Sequence, residues 1–275
     1  MGIIKSCTEY LDESVWGDFL DRSAGEKVSK EDMVKSNEEL KEMINNLYKE
    51  QGEGDTLDVS SIDLGKKIIC DDLNSLFVDY TIIKRIIGLD TWDVSNVTNM
   101  DSMFYRCESL TELNIDNWDV SNVTDMNNMF YRCESLTKLN IDNWDVSNVT
   151  NMWDMFSGCK NLTELNIGSW DVSKVTDMGY IFYGCKNLTE LNIGSWDVSK
   201  VTDMRFMFYA CDSLTELNID NWDVSKVINM AYMFCDCESL TELNIGNWNV
   251  SKVTNMSYMF YECKNLIEKP KWYEK

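Results

Sequence analysis

The chain has 275 residues and a formal net charge of -22, with 25 Lys and Arg against 47 Asp and Glu, one Pro, ten Cys and no His. Without His there is no Ser-His-Asp triad, no HExxH zinc site and no imidazole general base near neutral pH. The acidic balance argues against nucleic acid, whose phosphates must be neutralised by Lys and Arg, whereas a hydrophobic fraction of 44% supports a packed core.

Residues 1–55 read as a charged helical extension. Ser36-Asn37-Glu38-Glu39 is a capping box. Leu40, Met43, Ile44 and Leu47 then fall on one face at i, i+3, i+4 and i+7, and Gly52-Glu53-Gly54 ends the helix. Such a helix can lie over a neighbouring element of the same chain or dock on another protein. The first residues carry no apolar stretch of the kind found in a signal peptide, and no run is long enough to span a bilayer, so membrane insertion is not expected.

Residues 56–91 predict a degenerate capping coil. Leu57-Asp58-Val59-Ser60 and Leu76-Phe77 echo motifs that become regular further on, and Ile83 to Leu89 is strand-like. From residue 92 a strict repeat takes over. Trp stands at 92, 118, 144, 170, 196, 222 and 248, and Cys at 107, 133, 159, 185, 211, 237 and 263, both with a step of 26. Seven such units fill residues 92–268, and a fixed period without insertions is the mark of a solenoid. Leu110-Thr111-Glu112-Leu113-Asn114-Ile115 and its copies predict short parallel strands with Leu and Ile inward. Met-x-x-Met-Phe-x-x-Cys has helical spacing over too short a span for a free helix, so a 3₁₀ or single-turn element is expected. Val97-Thr98 can add a second short strand. Residues 269–275 form a cap: Lys269, Pro270 and Lys271 replace Leu, Asn and Ile and would stop another strand from pairing.

Several columns run through the repeat. The Cys column predicts buried free thiols, side by side and flanked by Phe and Leu. Cys235 stands outside it, in place of an outward Tyr, and is expected to be exposed. The Asp column (Asp93, Asp119, Asp145, Asp171, Asp197, Asp223, with Asn249 last) suits Asx turns at coil corners. No metal or cofactor is expected. Glu164, Glu190, Glu216 and Glu242 form an acidic stripe, either simply solvated or a surface for a basic partner. One variable column becomes aromatic in the C-terminal half, at Tyr180, Phe206, Tyr232 and Tyr258; a second reads Tyr105, Tyr131, Ser157, Tyr183, Tyr209, Cys235 and Tyr261, and Trp153 and Arg205 stand in a third. Exposed aromatics with Arg have the composition of binding hot spots. The alternative is that these rings lie flat over the coil backbone.

The repeat resembles the BspA-like leucine-rich repeat family. The motif runs from Trp118-Asp119-Val120-Ser121-Asn122-Val123-Thr124-Asp125-Met126 through Met129-Phe130, Cys133 and Leu136 to Ile141, in seven copies over about two-thirds of the chain. The resemblance implies a curved leucine-rich solenoid and a bacterial surface protein that binds host or partner proteins rather than an enzyme. From the first residues, the export signal usual in that family is not expected here. A shorter stretch (Ser14-Val15-Trp16-Gly17-Asp18, Asp21-Arg22-Ser23, Gly25-Glu26 and Lys30-Glu31-Asp32) is similar to an N-terminal segment of gut-bacteriophage proteins. The expectation is therefore a repeat solenoid of short parallel strands with an N-terminal α-helical extension, acting as a monomeric, non-catalytic module for a protein or glycan partner. The alternative is a phage structural, packaged or host-interaction protein with the N-terminal segment as its address. The location would be cytoplasmic or virion-associated, with the cell surface implied only by the resemblance.

Overall fold

A computed structural model describes residues 36–64 and 70–273. The phage-like stretch and Cys7 lie outside the described residues. Helix α1 (Asn37–Glu50) begins as the capping box requires: the Glu39 N–H donates to the Ser36 Oγ at 3.2 Å. Strand β1 (Thr56–Asp58) follows and pairs in parallel with β2 (Arg85–Ile87). These are the only two strands among the described residues, and the repeat itself is built by other means.

Coils stack because no single unit can bury its own apolar side chains. Trp, Val, Met, Phe, Cys, Leu and Ile of each unit point into the coil and meet their counterparts above and below. The Phe column runs unbroken from Phe77 to Phe260, with ring centroids 5.4 to 5.9 Å apart and planes within 14° of parallel. Each buried Trp from Trp118 to Trp248 donates its indole N–H to a backbone carbonyl of the preceding coil, as Trp144 does to Ile115 at 3.1 Å. Each column thiol donates to a Phe carbonyl, Cys133 to Phe104 at 3.2 Å for example. This explains how a buried Sγ–H is satisfied without a disulfide.

The backbone departs from the expected strands in an informative way. The Leu-x-x-Leu-x-Ile segments make only isolated bridges, such as Glu164 to Glu190 and Glu216 to Glu242. Their link to the coil before is the Thr N–H, as in Thr189 to the Thr163 carbonyl at 3.2 Å. The continuous ladder lies instead on the Met-x-x-Met-Phe ribbon. Met100, Ser102, Phe104 and Arg106 donate to the carbonyls of Asp125, Asn127, Met129 and Tyr131 in the next coil, at 2.7 to 2.9 Å. The residues between them close turns within the coil: Met103 N–H to Met100, Tyr105 to Ser102 and Cys107 to Phe104. The turn expectation therefore holds, but the turns alternate with inter-coil bonds that all point one way. Such a path needs left-handed backbone at two positions per coil, seen at Ser102 and Arg106 (φ 57° and 58°) and at each copy of them. Beside this ribbon the predicted second strand shrinks to a column of single bridges, Asn99 to Asp125 to Asn151 and onward.

The corners behave as the Asp column predicts. Ser95, Ser121 and every equivalent Ser N–H donate to the Asp two residues back at 3.0 to 3.1 Å, and Ser251 does the same to Asn249 at 3.2 Å. A second Asx column, at Asn99, Asp125, Asn151, Asp177, Asp203, Asn229 and Asn255, went unread in the sequence.

The ends are closed differently. Helix α1 packs on the first coil through Leu40 and Ile44, both fully buried. Asn37 Nδ2 donates to the Asn74 carbonyl at 2.7 Å, and the Tyr80 hydroxyl donates to Asn45 Oδ1 at 2.6 Å. Of the two placements open for this helix, the structure has the intramolecular one. Met43, expected in the buried stripe, is 39% exposed because the contact surface is narrower than the stripe. At the C-terminal end, Trp272 extends the Trp column, its ring 6.5 Å from Trp248 and its indole N–H on the Ile245 carbonyl at 3.0 Å. Tyr273 meets Phe260 edge-on at 4.9 Å. The cap thus rests on two aromatic side chains as well as on the Lys-Pro-Lys stop.

Cys235 is a correction. It is buried, not exposed, and burial pushes its thiol up to about 12, helped by the neighbouring Asp236 carboxylate. All nine described thiols are buried. A Cys7→Ser variant is therefore expected to show no reaction with Ellman's reagent over an hour in native buffer, and nine thiols in concentrated guanidinium. Rapid native labelling at Cys235 would show that this column opens to solvent.

Candidate functional site

The variable aromatic columns sit on the outward side of the ribbon, at or next to the left-handed positions. Tyr180, Phe206, Tyr232 and Tyr258 have φ of 55° to 60°. A non-glycine residue there costs about 1 kcal/mol, and Ser102, Asn128 and Asp154 hold the same position in the first three coils. The aromatic side chains recover part of that cost by stacking on one another. Tyr180 to Phe206, Phe206 to Tyr232 and Tyr232 to Tyr258 have centroids 4.7, 4.6 and 5.0 Å apart. Trp153 leads the column at 6.0 Å from Tyr180. The second column interlocks with it: Tyr183 and Tyr209 stack at 4.8 Å, and Phe206 lies within 6.3 Å of both. The rings are half-buried through the middle of the column, and Trp153 and Tyr258 at its two ends are more open, at 38% and 54%. They stack edge-out along the coil axis. Arg205 binds Asp203, its guanidinium 2.9 Å from the carboxylate.

Beside these columns lies a groove of about 520 Å³ that the sequence reading missed. Its floor is Gly158, Gly184 and Ala210, which occupy the second left-handed position, where other coils carry Arg106, Arg132, Asp236 and Glu262. Tyr131, Ser157, Tyr183 and Tyr209 wall it, and Arg132, Lys160, Lys186, Asp212, Asp236 and Glu238 rim it. The signal was present in the repeat: only here do two adjacent coils place Gly in that column, and only coil 144–169 replaces the ladder Tyr by Ser.

Of the residues singled out from sequence, Tyr183 and Tyr209 line the groove. Trp153, Tyr180, Arg205, Phe206, Tyr232 and Tyr258 lie in or beside the adjoining ring column. Glu164, Glu190, Glu216 and Glu242 are exposed on a different segment of the coil and take no part in the groove. Glu164 is partly neutralised by Lys138 at 3.4 Å. Among the described residues no group of three or more Cys, Asp or Glu is placed to hold a metal ion, and no helix is long and apolar enough to cross a membrane.

Two overlapping segments, residues 71–190 and 180–274, match the family described as "Mycoplasma protein of unknown function, DUF285". The chain belongs to this family. No curated protein matches it. Among solved structures, this DUF285 chain is similar to a leucine-rich repeat protein of Leptospira interrogans at 12% identity and a TM-score of 0.32, over 66% of this chain and 41% of that one. It is also similar to a leucine-rich repeat protein from Bacteroides ovatus (16% identity, TM-score 0.26, 78% and 70% of the two chains). A third is the functional domain of InlJ from Listeria monocytogenes, which includes a cysteine ladder (12%, 0.21, 74% and 62%). The chain spans under half the length of the Leptospira protein.

The electrostatics of the DUF285 ribbon are set by burial. The Asp236 carboxylate accepts the Tyr209 hydroxyl, and this bond together with burial pushes the phenol up to about 12. Glu134 is held low by Lys160 at 2.8 Å and Arg132 at 3.2 Å. Asp154, beneath the start of the ring column, is raised to about 6, first by burial and then by Asp177, against the opposing bond from Ser157. A raised carboxyl contributes stability that is complete below its unfolded pKa near 4 and is lost as pH rises through about 6. Asp154→Asn removes the ionisation and keeps a side chain suited to left-handed backbone. The variant is expected to be more stable than the parent by about 1–2 kcal/mol at pH 7.5 and equal to it at pH 4. Thermal melts at the two pH values check this, and a variant that melts lower at pH 7.5 contradicts it.

Proposed function

We propose that this chain is a non-catalytic recognition module, a leucine-rich, BspA-like solenoid whose outward ribbon holds a protein or glycan partner. Residues 92–268 are its working stack, 56–91 and 269–275 its caps, and 1–55 a helical extension. One observation carries the reading. On a repeat whose inward positions are nearly invariant, the aromatic and glycine departures of the ribbon lie side by side, where a glycine-floored groove adjoins a column of stacked, partly exposed rings. Inward positions change little because every coil must fit the next. Outward positions are free to vary, so a local cluster of variation there is spent on contact. Half-buried rings already held by their neighbours lose little conformational entropy on binding, which favours their use as anchors.

The groove walls are mainly tyrosine, and the one serine there, Ser157, is buried against Asp154. The seven column thiols and Cys235 are buried, and their raised pKa values keep them protonated. Recognition is therefore preferred over chemistry.

The test uses a displayed random peptide library and a glycan array, probed with the wild-type chain and with Tyr180→Ala/Phe206→Ala/Tyr232→Ala. The triple variant is expected to stay folded, with a lower melting temperature from the lost stacking. Its binding to ligands selected by the wild type is expected to weaken at least tenfold. Binding unchanged by the triple variant rejects the ring column as the contact surface.

A further inference from the structure

The tyrosine column beside the groove has one ring missing. Tyr105 and Tyr131 stack at 4.7 Å with planes 9° apart, and Tyr183 and Tyr209 stack at 4.8 Å with planes 7° apart. Between these two pairs the column position is Ser157. The backbone does not close over the vacancy. The Ser157 carbonyl still accepts the Arg132 N–H at 2.7 Å, and Gly158 still donates to Tyr183 at 2.6 Å, as in the complete coils. Tyr131 and Tyr183 are thus separated by two coil steps, roughly 9.5 Å. A ring placed midway would lie about 4.8 Å from each, inside the preferred range for aromatic pairs. Ser157 is 2% exposed and forms the base of the slot, where it bonds Asp154. Gly158 and Gly184 leave the side of the slot open into the groove.

The mouth carries two cations, Arg132 and Lys160, which both bond Glu134, with Glu108 also facing Arg132. Lys186, the next cation along, is balanced by Asp212 at 3.3 Å. Further along the groove, Asp236 and Glu238 restore negative charge, which disfavours a polyphosphate or a nucleic acid lying along it.

We propose that the Ser157 gap receives one aromatic side chain of a partner protein, sandwiched between Tyr131 and Tyr183, with a carboxylate next to it in the partner's sequence meeting Arg132 and Lys160. The partner chemistry follows from the fit. A flat ring completes the stack that the repeat leaves open, and a carboxylate beside it can share the donors of Arg132 and Lys160 at the mouth. The proposal rests on the reading of the outward ribbon as a binding surface and specifies the ligand of its groove.

A displayed library of random twelve-residue peptides tests it, probed with the wild-type chain, Ser157→Tyr, Lys160→Ala and the triple variant of the ring column. Ser157→Tyr restores the side chain found in most other coils, so it is expected to fold and melt no lower than the parent. The wild type is expected to enrich peptides with Phe, Tyr or Trp next to Asp or Glu. A synthetic peptide of the enriched sequence should bind Ser157→Tyr at least tenfold more weakly, with Leu in place of its aromatic residue causing a similar loss. Lys160→Ala, at an exposed site, should weaken it several-fold and reduce its salt dependence. Enriched peptides without an aromatic–acidic pair, or equal binding to Ser157→Tyr, overturn the slot. If binding survives Ser157→Tyr but is lost in the triple variant, the recognition reading stands without the slot. If no peptide is enriched, or binding is indifferent to every variant, a protein ligand for this ribbon is rejected along with the slot.

Discussion

Every second N–H between Met100 and Arg106 leaves its own coil and bonds to a carbonyl of the next one. The rest of the structure hangs on this one-way exchange. It fixes the spacing between coils and holds the Phe rings at 5.4 to 5.9 Å, so each thiol reaches a Phe carbonyl. It also requires two left-handed residues per coil, which tertiary contact has to compensate. Buried backbone groups must find partners; here those of one coil find them in its neighbour, so a coil taken alone would be neither packed nor satisfied. That is the physical content of a repeat that does not fold singly.

The same arrangement decides where variation is tolerated. The Trp, Val, Met, Phe and Leu positions each face two neighbours of the same kind, and a change of volume in one coil is felt by both. At the left-handed positions the side chain points out, and the backbone demands only a residue that accepts positive φ. Ser, Asn, Asp, Tyr and Phe all appear at the first of these positions, and Arg, Gly, Ala, Asp and Glu at the second. The aromatic column and the glycine floor are therefore two uses of one permissive site type. Their meeting around coils 144–219 gives the stack a surface unlike that of any other part.

Much of this was legible beforehand. The period, the inward columns, the free buried thiols, the Asx corners and the capped helix over residues 37–50 all follow from spacing and side-chain chemistry, and the structure has them. The strands did not materialise because Leu-x-x-Leu-x-Ile carries the right alternation for a strand while its backbone makes only one regular link to the coil before. Alternation reports which side chains are buried and is silent on where N–H groups point. The ladder lay in a segment whose Met-x-x-Met-Phe spacing reads as helical, since a chain of turns and a helix bury the same positions. Cys235 was misjudged because an outward column was assumed to stay outward when a large ring is replaced by a small thiol. The groove was readable in principle, as Gly158, Gly184 and Ser157 are visible departures, but a missing side chain attracts less notice than an added ring.

The ribbon also gives the stack a direction. All its N–H groups look toward the C-terminal end and all the carbonyls that receive them look toward the N-terminal end. Helix α1 sits over the acceptor end, with Asn37 donating to the Asn74 carbonyl. At the other end, the N–H groups of Met256, Tyr258, Phe260 and Glu262 have no acceptor among the described residues. The ribbon thus ends in unlike poles, acceptors covered by a helix at one end and a row of donors at the other.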